Sequence, residues 1–163
     1  YKKKFPDLNP DFIFAFPAYN VRNTEIAAII GRNQLKRLDT NNIIRNKNFK
    51  LFLANLDTKK FRTDFRLEGS SNYAFNLIIR NKDISFTERV MMKMETEKIE
   101  FRRGSAGGGN QLRQPYLRKI LGEKYKHFPE VEHIHFHGFY IGNFPSLHEE
   151  KILSLCKILN SVS

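Results

Sequence analysis

Two spacings of apolar residues alternate along the chain. Phe49, Phe52, Leu53 and Leu56 stand at i, i+3, i+4 and i+7, one stripe of a helix. From Asn72 the period becomes two. Tyr73, Phe75, Leu77 and Ile79 point one way and Asn72, Ala74 and Asn76 the other, which predicts a half-buried strand. The helical spacing returns at Ile152, Leu155, Cys156 and Leu159. Between these landmarks, Ser85 is placed to cap a short helix carrying Phe86, Val90 and Met94. Ile99 and Phe101 suggest a second strand that runs into Gly104 and Gly107-Gly108-Gly109, and Phe139-Tyr140-Ile141 a third.

The two ends complete the pattern. Pro6, Pro10 and Pro17 disfavour helix before them, and Phe12, Phe14 and Phe16 alternate, so residues 1–17 read as extended. A helix is expected from Asn23-Thr24-Glu25, with Asn or Thr as cap, Glu25 in the electropositive first turn and Ile26, Ile29 and Ile30 as its apolar face. A second helical stretch is expected after Thr40. Ser146-Leu147-His148-Glu149 reads as a capping box before the last helix. This mixture predicts an α+β fold: a small antiparallel sheet packed with helices. Residues 1–57 form a segment with long helices, and residues 58–163 the α+β domain.

Composition narrows the class. The 163 residues are 40% apolar and 28% charged, ordinary for a globular domain with a core of its own. No apolar run is long enough to span a bilayer, and the Lys2-Lys3-Lys4 cluster has no apolar stretch behind it to make a secretory leader. The first residue is not Met, so the chain is expected to begin inside a longer reading frame or after processing. The net charge of +11 suits a phosphate-bearing partner, but the basic residues are dispersed, which gives a nucleic-acid-binding module little support. The single cysteine, Cys156, rules out an intramolecular disulfide, fits a reducing cytoplasm and lies in a core stripe as an inert thiol.

Three segments carry candidate chemistry. Tyr19, Asn20 and Arg22 lie in the loop that feeds a helix amino terminus, where amides and a guanidinium suit an anion as well as local turn chemistry. Beside the glycine run, Asn110, Arg113, Gln114 and Tyr116 bring polar side chains to a loop that a ligand can approach closely, although Pro115 also suits a plain helix start. Glu132-His133-Ile134-His135-Phe136-His137 puts three histidines on one face if it is a strand, and makes His133 and His137 neighbours if it is a helix.

The first segment, with Ala27-Ala28, Gly31, Gln34-Leu35 and Leu38 behind it, resembles a signature of the DegT/DnrJ/EryC1/StrS sugar aminotransferase family. The spacing from Tyr19 to Leu38 is kept, and Ala18 stands where the family usually has glycine. Gly109-Asn110-Gln111-Leu112-Arg113-Gln114-Pro115-Tyr116-Leu117, followed by Gly138-Phe139-Tyr140-Ile141-Gly142-Asn143-Phe144-Pro145-Ser146-Leu147, resembles the branch that holds the CDP-4-keto-6-deoxyglucose 3-dehydrases and their lipopolysaccharide-sugar relatives. Residues 59–98 match in pattern only.

The resemblance implies a C-terminal small domain of a fold-type I pyridoxal-phosphate transferase, the α+β part of an α/β family. The large domain, with the lysine that holds the cofactor or the histidine that replaces it in dehydrases, would precede residue 1. The whole enzyme would either transfer an amino group to a nucleotide-linked 4-keto-6-deoxy sugar or remove its C3 hydroxyl, and this chain alone would be inactive. By position, Asn20, with Tyr19, would reach the cofactor phosphate of the other subunit in a homodimer. Asn110, Arg113, Gln114, Tyr116 and Arg22 would lie toward the substrate, Arg22 more as a loop-holding salt bridge than as a direct contact. Residues 1–19 hold no cysteine, which disfavours the iron–sulfur cluster of some dehydrases. The resemblance also places the histidine run on a helix, with no metal and with one histidine toward the cleft.

Overall fold

The computed structural model describes residue 3, residues 23–103 and residues 109–163, the side chain of Tyr116 excepted. The chain divides into two units, Tyr1–Lys36 and Arg37–Ser163. The extended segment expected over residues 1–17, and Tyr19, Asn20 and Arg22, lie outside the described residues.

Helix α1 runs through Glu25–Asn55. Thr24 caps it, its Oγ1 accepting from the Ala27 N–H at 3.3 Å, and Glu25 occupies the first turn. The expected second stretch after Thr40 is part of this same helix. Thr40, Asn41 and Asn42 are weak helix formers, but no proline stands between Pro17 and Pro115, so nothing sterically ends the helix there. Ile26, Ile29 and Ile30 form the apolar stripe expected of its start and are exposed.

Within residues 37–163 the sheet has the order β1-β3-β2, with β1 Ala74–Ile78, β2 Phe101–Arg103 and β3 Gly138–Gly142, all pairs antiparallel. Phe75 pairs with Ile141 and Leu77 with Phe139, while Phe101 meets Ile141 from the other side. Phe75, Leu77 and Ile79 face the core. The strand is not half-buried as its alternation suggests: Ala74 and Ile78 on the opposite face are also covered, in a groove bordered by Phe65 and Ile134. Tyr73 precedes the strand and is exposed.

The core is aromatic at its centre. Phe52 of α1 stacks on Phe75 of β1 with ring centroids 4.6 Å apart, and Phe49 stacks beside both. Helix α2 (Ile84–Thr96) adds Val90 and Met94, and the last helix adds Ile152, Cys156 and Leu159. The Asn143 amide ties α1 to the sheet end: its Nδ2 donates to the carbonyls of Arg45 and Asn72, and its Oδ1 accepts from Asn48. Asn48 and Asn143 are both buried, so the satisfied amide specifies the packing of α1 on β3.

Two caps differ from expectation. Asp83, not Ser85, caps α2, its carboxylate accepting from the Phe86 N–H at 2.8 Å. The last helix covers Glu149–Asn160, and its cap, His148, makes no side-chain hydrogen bond. The expected capping box fails because the Leu147 N–H already closes a turn on the Phe144 carbonyl, which delays the helix. Glu149 and Glu150 still fall in the first turn, where the helix dipole favours them.

Candidate functional site

Between β2 and β3 the chain makes a 3-10 turn at Gln111–Arg113, helix α3 at Pro115–Leu121, a second 3-10 turn at Lys124–His127 and helix α4 at Pro129–His137. Prolines open both helices at a position where the missing N–H costs nothing. The histidine run is therefore helical, and α4 passes into β3 without a loop.

The loop before the first 3-10 turn is pressed onto α4. Gly109 has φ of +89°, and a Cβ there would lie 2.2 Å from His135 Nδ1, so only glycine fits. The Asn110 N–H donates to His135 Nδ1 at 3.0 Å. Asn110, 3% exposed, also caps the turn: its Oδ1 accepts from the Leu112 N–H at 3.1 Å. Its Nδ2 donates to Glu132 Oε1 at 2.7 Å.

Arg113 converges on the same carboxylate. Its Nε donates to Glu132 Oε1 and Oε2 at 2.8 and 3.0 Å, and its Nη2 donates to Oε2. The guanidinium carbon stands 4.3 Å from the ring centre of Tyr125 and 4.8 Å from that of Phe136, so the ion pair is held between aromatic faces. The Arg113 bond, then that from Asn110, holds the Glu132 carboxyl below the ordinary carboxylate range, and Glu132 raises the Arg113 pKa. Gln114 follows in extended backbone; its N–H donates to the Gln111 carbonyl at 3.0 Å, and its side chain makes no cap bond on α3.

Of the residues singled out in the sequence, Asn110 and Arg113 are brought together, on one carboxylate, and Gln114 stands next to them. Glu132, Tyr125, Phe136 and His135 were missed as partners of that segment. For Glu132, His135 and Phe136 the available signal was their place in the run of residues 132–137, which invites a metal reading first; Tyr125 stands outside it.

The histidines divide their work. His133 Nε2 donates to the Ile79 carbonyl at 2.7 Å, and His137 Nδ1 lies 2.8 Å from Thr87 Oγ1, both buried. His135 turns the other way, to the glycine loop. Among the described residues no group of His, Cys, Asp or Glu is arranged to hold a metal ion. None of the described helices is long and apolar enough to cross a membrane.

The chain belongs to the DegT/DnrJ/EryC1/StrS aminotransferase family, whose pattern matches residues 3–160. It is 28% identical over 164 residues to the GDP-4-keto-6-deoxy-D-mannose 3-dehydratase of Yersinia pseudotuberculosis, covering 97% of this chain and 40% of that protein. In structure it is similar to a GDP-4-keto-6-deoxymannose-3-dehydratase crystallised with a trapped PLP-glutamate geminal diamine, with a TM-score of 0.72 and 26% identity over 91% of this chain and 39% of the other. A variant of such a dehydratase with bound GDP-perosamine aligns at a TM-score of 0.71 and 26% identity, over 91% of this chain and 38% of the other. The α+β architecture is thus that of a region within the pyridoxal-phosphate aminotransferase fold. The chain spans about 40% of the length of the curated relative.

Proposed function

We propose that this chain is the C-terminal small domain of a pyridoxal-phosphate enzyme that modifies a nucleotide-linked 4-keto-6-deoxy sugar, by amino transfer or by removal of the C3 hydroxyl. The observation that carries the reading is the family match over residues 3–160, together with relatives named for GDP-4-keto-6-deoxymannose dehydration. The enzyme works in the cytoplasm as a homodimer, and the large domain supplies most of the cofactor pocket.

When bound, pyridoxal phosphate supplies the electron sink for bonds around an attached amine. This chain's residues bind and orient. Asn20, with Tyr19, donates to the cofactor phosphate of the partner subunit, a neutral amide meeting an anion ahead of α1. Arg22 steadies that loop. Asn110, Arg113, Gln114 and Tyr116 form the edge that faces the sugar nucleotide. The support for that edge is chemical: a glycine-led loop with amide and guanidinium groups, fixed on α4 instead of left free.

The test is Asn20→Ala in the complete protein. Losing one hydrogen bond to a charged group weakens cofactor retention by about tenfold or more. Equal retention in the variant, measured by dialysis and absorbance, contradicts the assignment of Asn20.

A further inference from the structure

We infer that Glu132 is a positioning residue: it holds residues 109–114 on α4, and through them sets the edge proposed to meet the sugar nucleotide. This rests on the functional reading above for its substrate half only. The geometry of the hold is independent of that reading.

Glu132 receives Asn110 Nδ2 at 2.7 Å, Arg113 Nε at 2.8 and 3.0 Å, and Arg113 Nη2. One carboxylate therefore binds both ends of the 3-10 turn Gln111–Arg113. A guanidinium that forks onto a carboxylate between two rings is a poor candidate for a free phosphate clamp. It is well suited to fix the direction in which Gln114 and the start of α3 leave the turn. A second tether sits beside the first. The Asn110 N–H donates to His135 Nδ1, so that nitrogen must carry a lone pair, and Gly109 can approach because it has no Cβ.

The second tether makes the hold sensitive to pH. Protonated His135 has no acceptor at Nδ1, and the Asn110 bond is lost. The charged groups facing this ring are Arg113 from the turn, Arg103 from β2 and Glu132 from α4. Burial first, then Arg113, pushes the His135 pKa below its ordinary value, with Glu132 opposing. The tether is therefore intact near neutrality and released in acid.

The experiment uses the complete protein with Glu132→Gln, Arg113→Lys and His135→Asn. Amide hydrogen exchange of peptides covering residues 109–114 is measured without ligand, and kcat and KM are measured with GDP-4-keto-6-deoxymannose. Glu132→Gln keeps an acceptor for Asn110 but loses the ion pair. It should speed exchange about tenfold and raise KM by a similar factor while kcat changes less, the usual size of a lost charge-assisted bond. Arg113→Lys, which leaves Glu132 in place, should loosen the same peptides to a smaller degree. In the parent, exchange corrected for intrinsic pH dependence should rise in acid. His135→Asn, with an acceptor at the Nδ1 position that does not titrate, should flatten that rise. Unchanged exchange over residues 109–114 in either Glu132→Gln or Arg113→Lys overturns the inference, whatever KM does. Faster exchange with an unchanged KM supports the hold and overturns the placement of this edge at the substrate.

Discussion

Thr87 fixes the tautomer of His137. The Thr87 hydroxyl donates to the Asp83 carbonyl at 2.7 Å, so at its 2.8 Å contact with His137 it can only accept, and His137 must carry its proton on Nδ1. An imidazole that donates from Nδ1 thus joins α4 to the start of α2, with the ring of His133 centred 5.0 Å away.

Stability should fall on acidification. Burial, then the neighbouring His133, pushes the His137 pKa below its ordinary 6.5; burial, then Arg113, does the same for His135. A histidine with a depressed folded pKa contributes stability that is complete above the unfolded value and is lost as pH falls through the folded one. Denaturant midpoints should therefore be level above about pH 7 and decline in acid. His137→Asn, which keeps a donor to Thr87 without a titrating ring, should decline less steeply. Equal slopes would contradict the role given to His137.

Glycine substitutions should separate by position. A Cβ at Gly138 would lie 2.6 Å from the Ile134 backbone carbonyl, which cannot give way as a side chain would, at the point where α4 passes into β3. Gly138→Ala should cost about 1–3 kcal/mol in urea unfolding. At Gly31, inside α1, nothing lies within 4 Å, and Gly31→Ala should stabilise by roughly 0.5–1 kcal/mol.

Cys156 should be unreactive in the folded protein. It is 2% exposed in the core, its thiol donates to the Phe52 carbonyl at 3.5 Å, and burial pushes its pKa up to about 12. Iodoacetamide should label it only as fast as the protein unfolds. Prompt labelling under native conditions would refute this placement.

The aromatic centre should dominate the core. Phe52 is fully buried against Phe75 and Phe49, so Phe52→Ala should cost about 3–5 kcal/mol, read from the denaturant midpoint.

Elements were legible where burial imposes a period. The stripe of Phe49, Phe52 and Leu53, the strand around Phe75 and Leu77, and the last helix with buried Cys156 all follow from spacing. The start of α1 at Thr24 was legible too, but the caps of α2 and of the last helix were not. Asp83 and Ser85 offer nearly equal caps in sequence, and the structure starts the helix two residues earlier, with the Asp83 carboxylate on the Phe86 N–H. The double covering of β1 escaped because Phe65 lies outside the alternating run and Ile134 comes from a distant part of the chain. Asn110 and Arg113 were recognisable as a pair from the motif they share. Their common partner lies 19 residues beyond Arg113, a relation that no local spacing encodes.

The central claim is that this domain serves a pyridoxal-phosphate enzyme of nucleotide 4-keto-6-deoxy sugars. The direct measurement is mass spectrometry of GDP-4-keto-6-deoxymannose after incubation with the complete protein, pyridoxal phosphate and glutamate. The account predicts a nucleotide sugar that has lost one oxygen atom, or one that bears an amine in place of its keto oxygen. Recovery of the sugar unchanged, from protein shown to retain the cofactor, together with no turnover of other nucleotide-linked 4-keto-6-deoxy sugars, would contradict it.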